Sequence, residues 1–221
     1  MDKYLSIITN FGCHYNCHYC IVKNAGIKTP KTTISGLNNL LSTYYKNNCN
    51  IISLSGGGDP LFDYSRNFSW YNKFFEITKG IRKELHTSYV TFHNPILKNF
   101  YRIVYHLRDV NMIPKVHKSS GKQKIRVVFV VDETFSPEKI DKIYKMVKQN
   151  PDIDELSFRQ MVDKNYNTTN YCYDYLMKYH KDRWYYILQD DYNLYYAENK
   201  VFHHYNDLLN DWEANNEYKC F

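Results

Sequence analysis

Three thiols stand close together near the start of the chain. The segment Phe11-Gly12-Cys13-His14-Tyr15-Asn16-Cys17-His18-Tyr19-Cys20 leaves three residues between Cys13 and Cys17 and two between Cys17 and Cys20. A loop of this size can wrap one metal centre. Cysteine thiolates are the usual ligands of iron-sulfur clusters, and three with no near fourth leave one iron open to an external ligand. An open iron implies chemistry at the centre. Cys49, Cys172 and Cys220 are each isolated in sequence, so a four-cysteine site requires distant folding. A zinc knuckle is the alternative, with His14 or His18 as fourth ligand.

A second constellation follows: Ser53-Leu54-Ser55-Gly56-Gly57-Gly58-Asp59-Pro60-Leu61 at the end of an apolar run. Glycines let a backbone approach a ligand and expose its N–H and C=O groups. Taken alone, the segment also reads as a turn after a strand.

Together the two motifs resemble the radical S-adenosylmethionine (SAM) superfamily. Its signature is the same three-cysteine spacing with an aromatic residue before the last cysteine, here Tyr19. The glycine segment is similar to the family motif that holds the methionine end of SAM, with Asp59 where Glu is commoner. The resemblance covers about Met1 to Val162. It implies a 4Fe-4S cluster on Cys13, Cys17 and Cys20, and SAM held by Gly56, Gly57, Gly58, Asp59 and Pro60, the Asp59 carboxylate facing the cofactor's ammonium group. It also implies polar ribose and adenine contacts at later strand ends, for which Thr91, Asn94, His106, Arg159 and Gln160 are the candidates. His106 reads equally as a partly buried histidine bonded to backbone, and Arg159 as an ion-paired surface arginine. Arg126 reads as a solvated charge at a strand edge.

The activity implied is reductive cleavage of SAM to a 5'-deoxyadenosyl radical that abstracts hydrogen from a substrate C–H bond, with flavodoxin or ferredoxin as the kind of electron donor required. The substrate class stays open among nucleotide, nucleic acid and peptide, and glycyl-radical activation of a partner enzyme is a further alternative. Mild basicity and the aromatics of the C-terminal segment (Tyr185, Tyr186, Tyr192, Tyr195, Tyr196, His203, His204, Tyr205) lean towards a nucleotide, since rings can stack on bases. The same aromatics suit a packed hairpin and helix. A non-catalytic zinc or cluster-binding module is the reading from another class.

The elements that must position these residues are legible as periodicity. Lys3 to Thr9 reads as a buried strand feeding the cysteine loop, Ser35 to Tyr44 as a helix, and Asn50 to Ser55 as a strand stopped by glycines. Trp70 to Leu85 has helical spacing, Ser88 to Phe92 reads as a third strand, Leu97 to Arg102 as a short helix and Ile103 to Leu107 as a weak strand. Ile125 to Val131 is the strongest strand pattern. Ser136-Pro137 then starts a helix reaching about Gln149, and Glu155 to Val162 is a sixth strand. Beyond Asn170 the pattern gives a helix at Tyr171 to His180, a hairpin of Trp184 to Gln189 with Leu194 to Ala197, and a last helix at Tyr205 to Asn215. The fold expected is α/β: an open, partial parallel β6/α6-type TIM-like barrel with a small C-terminal hairpin/helix extension. Residues 1–165 form the barrel core and 166–221 the extension, within one domain.

Composition sets the outer limits. At 221 residues the chain suits one domain. Its formal charge of +6 comes from scattered lysines and does not by itself make a nucleic-acid binder. The residues from Met1 to Ile8 do not read as a signal peptide, and no apolar run reaches the roughly 18 residues that span a bilayer. The expectation is a cytoplasmic, reducing setting without membrane partners, which suits a cluster better than disulfides.

Overall fold

The computed structural model describes residues 2–24, 29–163, 167–178, 184–187, 194–204 and 207–208. The chain divides into two compact units, the first made of Met1–Asn16, Gly26–Leu85 and Asp191–Phe221, the second of Cys17–Ala25 and His86–Asp190. The division falls inside the cysteine loop and inside the third strand.

In the first unit, β1 (Tyr4–Ile8) pairs in parallel with β2 (Ile51–Ser55), Ser6 opposite Ser53. β2 pairs in parallel with β3 (Arg82–Thr87), Ser53 opposite Glu84. Leu5, Ile51, Ile52 and Leu54 are fully buried, the near-continuous apolar run that a strand covered on both faces requires. Between β1 and β2 run α1 (Ile21–Asn24), which belongs to the second unit, and α2 (Leu40–Lys46). Between β2 and β3 runs α3 (Phe68–Ile77), which buries Trp70, Tyr71 and Phe74. Trp70 stacks on Phe74 with centroids 5.3 Å apart and planes 8° from parallel.

In the second unit, β4 (Arg102–His106), β5 (Lys124–Val131), β6 (Glu155–Gln160) and β7 (Trp184–Ile187) pair in parallel in chain order. α4 (Pro137–Gln149) turns Ile140, Ile143 and Val147 inward, a spacing of three and four residues that makes one apolar stripe. Its start matches the sequence reading: the Ser136 hydroxyl accepts the Lys139 amide, and Pro137 fills the first turn. α5 (Tyr173–Lys178) falls within the helix expected at Tyr171 to His180, the last two residues of which lie outside the described ones.

The expected β6/α6-type partial barrel with a hairpin/helix extension is corrected by this arrangement, which is a mostly parallel sheet with flanking helices. Two connections that a β6/α6 unit would make with α-helices are 3-10 turns, Pro95–Asn99 before β4 and Val110–Lys115 before β5. The C-terminal segments are not a hairpin of 184–189 with 194–197. β7 extends the sheet beside β6, while β8 (Leu194–Ala197) adds in parallel to β1, Leu5 opposite Leu194. The hairpin is instead β8 with β9 (Lys200–Phe202), joined by Glu198 and Asn199 at φ 45° and 67°. Two left-handed residues in a two-residue turn match the twist of paired strands. The physical reason is the edge of β1: an apolar strand with an open hydrogen-bonding edge is satisfied by any segment able to pair with it. The helix expected at Tyr205 to Asn215 lies largely outside the described residues.

The third strand is also corrected. The helix expected to reach Leu85 stops at Thr78, where Gly80 turns at φ 80° and the buried Lys83 ammonium donates to the carbonyls of Thr78 and Ile81. Residues 82–87 form the strand, and Ser88 to Phe92 is a turn. No described helix is long and apolar enough to cross a membrane.

Two stability predictions follow from this packing. Phe74→Ala, at a fully buried site, is expected to cost about 3–5 kcal/mol in urea denaturation, whereas Tyr45→Ala, at a position 65% exposed, changes stability by at most about 0.5 kcal/mol. Asp154 is the second case. Burial alone would raise its carboxyl, but the Ile125 amide (2.8 Å) and the Lys118 ammonium (3.0 Å) hold it below the usual range. A depressed folded-state value stabilises the fold above the unfolded value of about 3.9, and that stability is lost as pH falls through the folded value. Asp154→Asn is therefore expected to lower the urea midpoint at neutral pH, with the gap to the parent closing in acid below about pH 4.

Candidate functional site

The cysteine loop leaves the end of β1 and the glycine segment leaves the end of β2, so parallel pairing delivers both to the same edge of the first unit. The two loops are joined there. Gly12 and Gly56 both take φ 106°, a left-handed conformation that side chains disfavour. The Asp59 amide donates to the Gly12 carbonyl at 2.8 Å. A Cβ on Gly58 would lie 2.1 Å from that same carbonyl oxygen, and one on Gly57 would lie 2.4 Å from the Thr29 hydroxyl. The room these glycines create is thus used by the chain itself, to lay one loop on the other.

α3 fixes the pair from below. Phe11 packs edge-on against Trp70 at 5.3 Å and tilted against Tyr71 at 5.9 Å. The Tyr71 hydroxyl donates to the Pro60 carbonyl, and the Trp70 indole donates to the Thr33 carbonyl at 3.2 Å. Asp59 is 4% exposed, and its Oδ1 accepts the Leu61 amide at 2.9 Å.

Cys13, Cys17 and Cys20 are half-buried thiols. As donors they are of the type an iron-sulfur centre takes, and their loop is short enough to hold one. Cys49 is buried and Cys172 half-buried, and burial raises the thiol pKa of both. Cys220 lies outside the described residues. Tyr19 is held protonated, first by burial and then by Cys17, which accepts its hydrogen bond. His14 stands exposed with its ring 5.0 Å from that of Phe62.

His18 is engaged elsewhere. Its Nε2 lies 2.8 Å from Oδ2 of Asp132, which sits just past β5 and is 4% exposed. The Thr134 hydroxyl and amide both donate to the other Asp132 oxygen, at 2.6 and 2.9 Å. Burial would raise the Asp132 carboxyl, but the Thr134 and His18 hydrogen bonds outweigh it and hold the carboxyl low. Glu133 brings a third ligand atom within 4.8 Å of those of His18 and Asp132, with His18 and Glu133 open to solvent. Asp132 is a residue the sequence reading missed; its signal was an acid ending the strongest strand pattern.

The remaining candidates separate. Thr91 is exposed in the turn after β3. Asn94 caps the 3-10 turn at Pro95, its Oδ1 accepting the Ile96 amide at 3.0 Å. Gln160 is 2% exposed and donates to the Tyr171 carbonyl at 2.8 Å, tying the segment after β6 to the sheet. His106 and Arg159 come together with His86, which the sequence reading had not singled out because it misplaced the third strand. His86 Nδ1 lies 3.1 Å from His106 Nε2. Burial first, then His86 and then Arg159, push the His106 pKa well below the usual imidazole value. Arg126 is not a solvated charge: its Nε lies 2.6 Å from Glu155, which also accepts from Arg102 at 3.2 Å. In the C-terminal segment, Tyr196 is buried and donates to the Gly36 carbonyl at 2.9 Å, so it packs the fold. Tyr192 and Tyr205 lie outside the described residues.

Gly58→Ala is expected to separate the two loops, seen as faster amide exchange at Asp59 and a lowered melting temperature. Gly121→Ala, whose Cβ would meet nothing within 4 Å, should leave both unchanged.

No family model matches the chain, and no curated protein does. Among solved structures it is similar to the crystal structure of Streptococcus suis SuiB bound to S-adenosylmethionine, with a TM-score of 0.54, 14% identity, and coverage of 86% of this chain and 48% of that one. The chain spans about half the length of that structure, and at this identity the likeness is one of fold.

Proposed function

We propose that this chain is an S-adenosylmethionine-dependent enzyme of the radical class, with Cys13, Cys17 and Cys20 as ligands of a 4Fe-4S cluster. The observation that carries the reading is the union of two motifs: the loop that begins the three-thiol sequence is hydrogen-bonded, Asp59 amide to Gly12 carbonyl at 2.8 Å, to the Gly56–Pro60 segment. The fold likeness to a SAM-bound protein supports it. When bound, the cluster and SAM together supply one-electron cleavage to methionine and a 5'-deoxyadenosyl radical able to take hydrogen from a C–H bond.

The chain's own residues do the rest. Tyr19 donates to the Cys17 sulfur, a contact that lowers electron density on the ligand. The His18–Asp132–Thr134 chain holds the middle of the cysteine loop on the end of β5. Gly56, Gly57, Gly58, Asp59 and Pro60 would hold the methionyl end of SAM. The electron comes from a partner of the flavodoxin or ferredoxin kind, and the substrate is a nucleotide, nucleic acid or peptide. The Nε2 of His18 is already hydrogen-bonded to Asp132, which weighs against that nitrogen serving as the fourth ligand of a zinc knuckle.

Anaerobically reconstituted, dithionite-reduced protein incubated with SAM is expected to release 5'-deoxyadenosine, detected by chromatography and mass spectrometry. Cys17→Ala should abolish both that product and the brown colour. A colourless protein holding zinc, or a full cluster in Cys17→Ala, would overturn the assignment.

A further inference from the structure

Buried arginines in parallel sheets are paired, because an unpaired guanidinium removed from water is costly. The second unit contains a charge-paired case and one in which a buried guanidinium nitrogen lacks a hydrogen-bond partner among the described residues. On β4 and β5, Arg102 and Arg126 share the carboxylate of Glu155. On β6, Arg159 is half-buried, and its Nε is buried with no hydrogen-bond partner among the described residues.

Two polar residues lie near Arg159. Two residues back on the same strand, and therefore on the same face, Ser157 is fully buried with its hydroxyl also lacking a partner among the described residues. Ser157 stands opposite Val128 and Val128 opposite His106, so a single row across three strands carries the serine and the histidine. His106 feels the Arg159 charge and bonds to His86 at 3.1 Å. A fixed cation and a buried hydroxyl on one sheet face, with an imidazole in the same row, suit a planar or tetrahedral oxyanion.

We infer that Arg159, with Ser157 and His106 beside it, seats a carboxylate or phosphate group of the substrate. Calling that molecule the substrate rests on the enzymatic reading above; the anion site itself rests only on the geometry of β4 and β6. Among the described residues no ion pair to Arg159 is formed, so a bound anion would supply its counter-charge.

The test uses the full-length, unreduced protein, so it does not depend on turnover. Inorganic phosphate and, separately, acetate are titrated calorimetrically. At least one of them is expected to bind saturably at one site, and Arg159→Leu should weaken that binding by about tenfold or more, the loss expected for one charge-assisted contact. Arg159→Lys should retain part of it. Without added anion, Arg159→Leu should melt about 2–5 °C higher than the parent, as removal of an unpaired buried charge predicts. A lower melting temperature for Arg159→Leu would mean that the guanidinium is a structural partner, and unchanged anion binding would mean that the site lies elsewhere; either overturns the inference. The titration is repeated with saturating SAM. Binding that persists supports a substrate anion, and binding abolished by SAM would reassign the seat to the methionyl carboxylate and overturn the substrate assignment. Absence of 5'-deoxyadenosine alongside intact anion binding would count against the proposed reaction and leave the anion site standing.

Discussion

The hydrogen bond from the Asp59 amide to the Gly12 carbonyl is the contact on which the candidate site depends. Parallel pairing of β1 with β2 brings two loop origins to one edge, but it does not fix what the loops do beyond that edge. Fixing them requires close backbone approach, and that is possible only where a side chain is missing: a Cβ at Gly58 would stand 2.1 Å from the oxygen that Asp59 binds. The aromatic face of α3 then closes the arrangement, Phe11 against Trp70 and Tyr71 on one side and the Pro60 carbonyl on the Tyr71 hydroxyl on the other. Buried ring pairs of this kind contribute about 0.5–1.5 kcal/mol beyond their area, enough to hold a loop in one conformation before any ligand arrives.

Charge is treated differently in different parts of the second unit. Glu155 bridges Arg102 and Arg126, and Asp154 meets Lys118 and Lys124, so the starts of β4, β5 and β6 are tied by ion pairs. Towards the other ends of the strands, His86 and His106 share a hydrogen bond and the buried Nε of Arg159 lacks an acceptor among the described residues. In an open parallel sheet the carboxyl ends of strands are where ligands bind, and the change from paired to unpaired charge along β6 follows that polarity.

What was legible in the sequence was local. The cysteine loop, the glycine segment, β1, β2, β5 and the capped start of α4 announce themselves within ten residues, through spacing, β-branched runs and the Ser136-Pro137 cap. The third strand was not, because the apolar spacing of α3 continues past Gly80 into a strand that buries Lys83 and Glu84, residues that read as solvated. His86 was lost with it, and with His86 the pairing that gives His106 its environment. The destinations of β7 and β8 were illegible for another reason. A short aromatic strand can pair with its sequence neighbour or with any open edge, and only the whole fold shows that β6 and β1 offer those edges.

The same logic explains why Asp132 escaped notice while His18 did not. His18 lies inside a recognisable motif, whereas its partner is 114 residues away and looks in sequence like an ordinary turn acid. In the fold that acid is 4% exposed, and three donors from Thr134 and His18 make it a rigid acceptor. Thr134 alone supplies two of those donors, so the carboxylate is oriented without any help from the loop. Its other oxygen is then a fixed point, at the end of β5, to which the His18 imidazole of the cysteine loop is hydrogen-bonded. For the cluster proposed on its thiols, a loop tethered in this way has fewer conformations to give up, and binding free energy that would otherwise go into ordering the loop is retained as affinity.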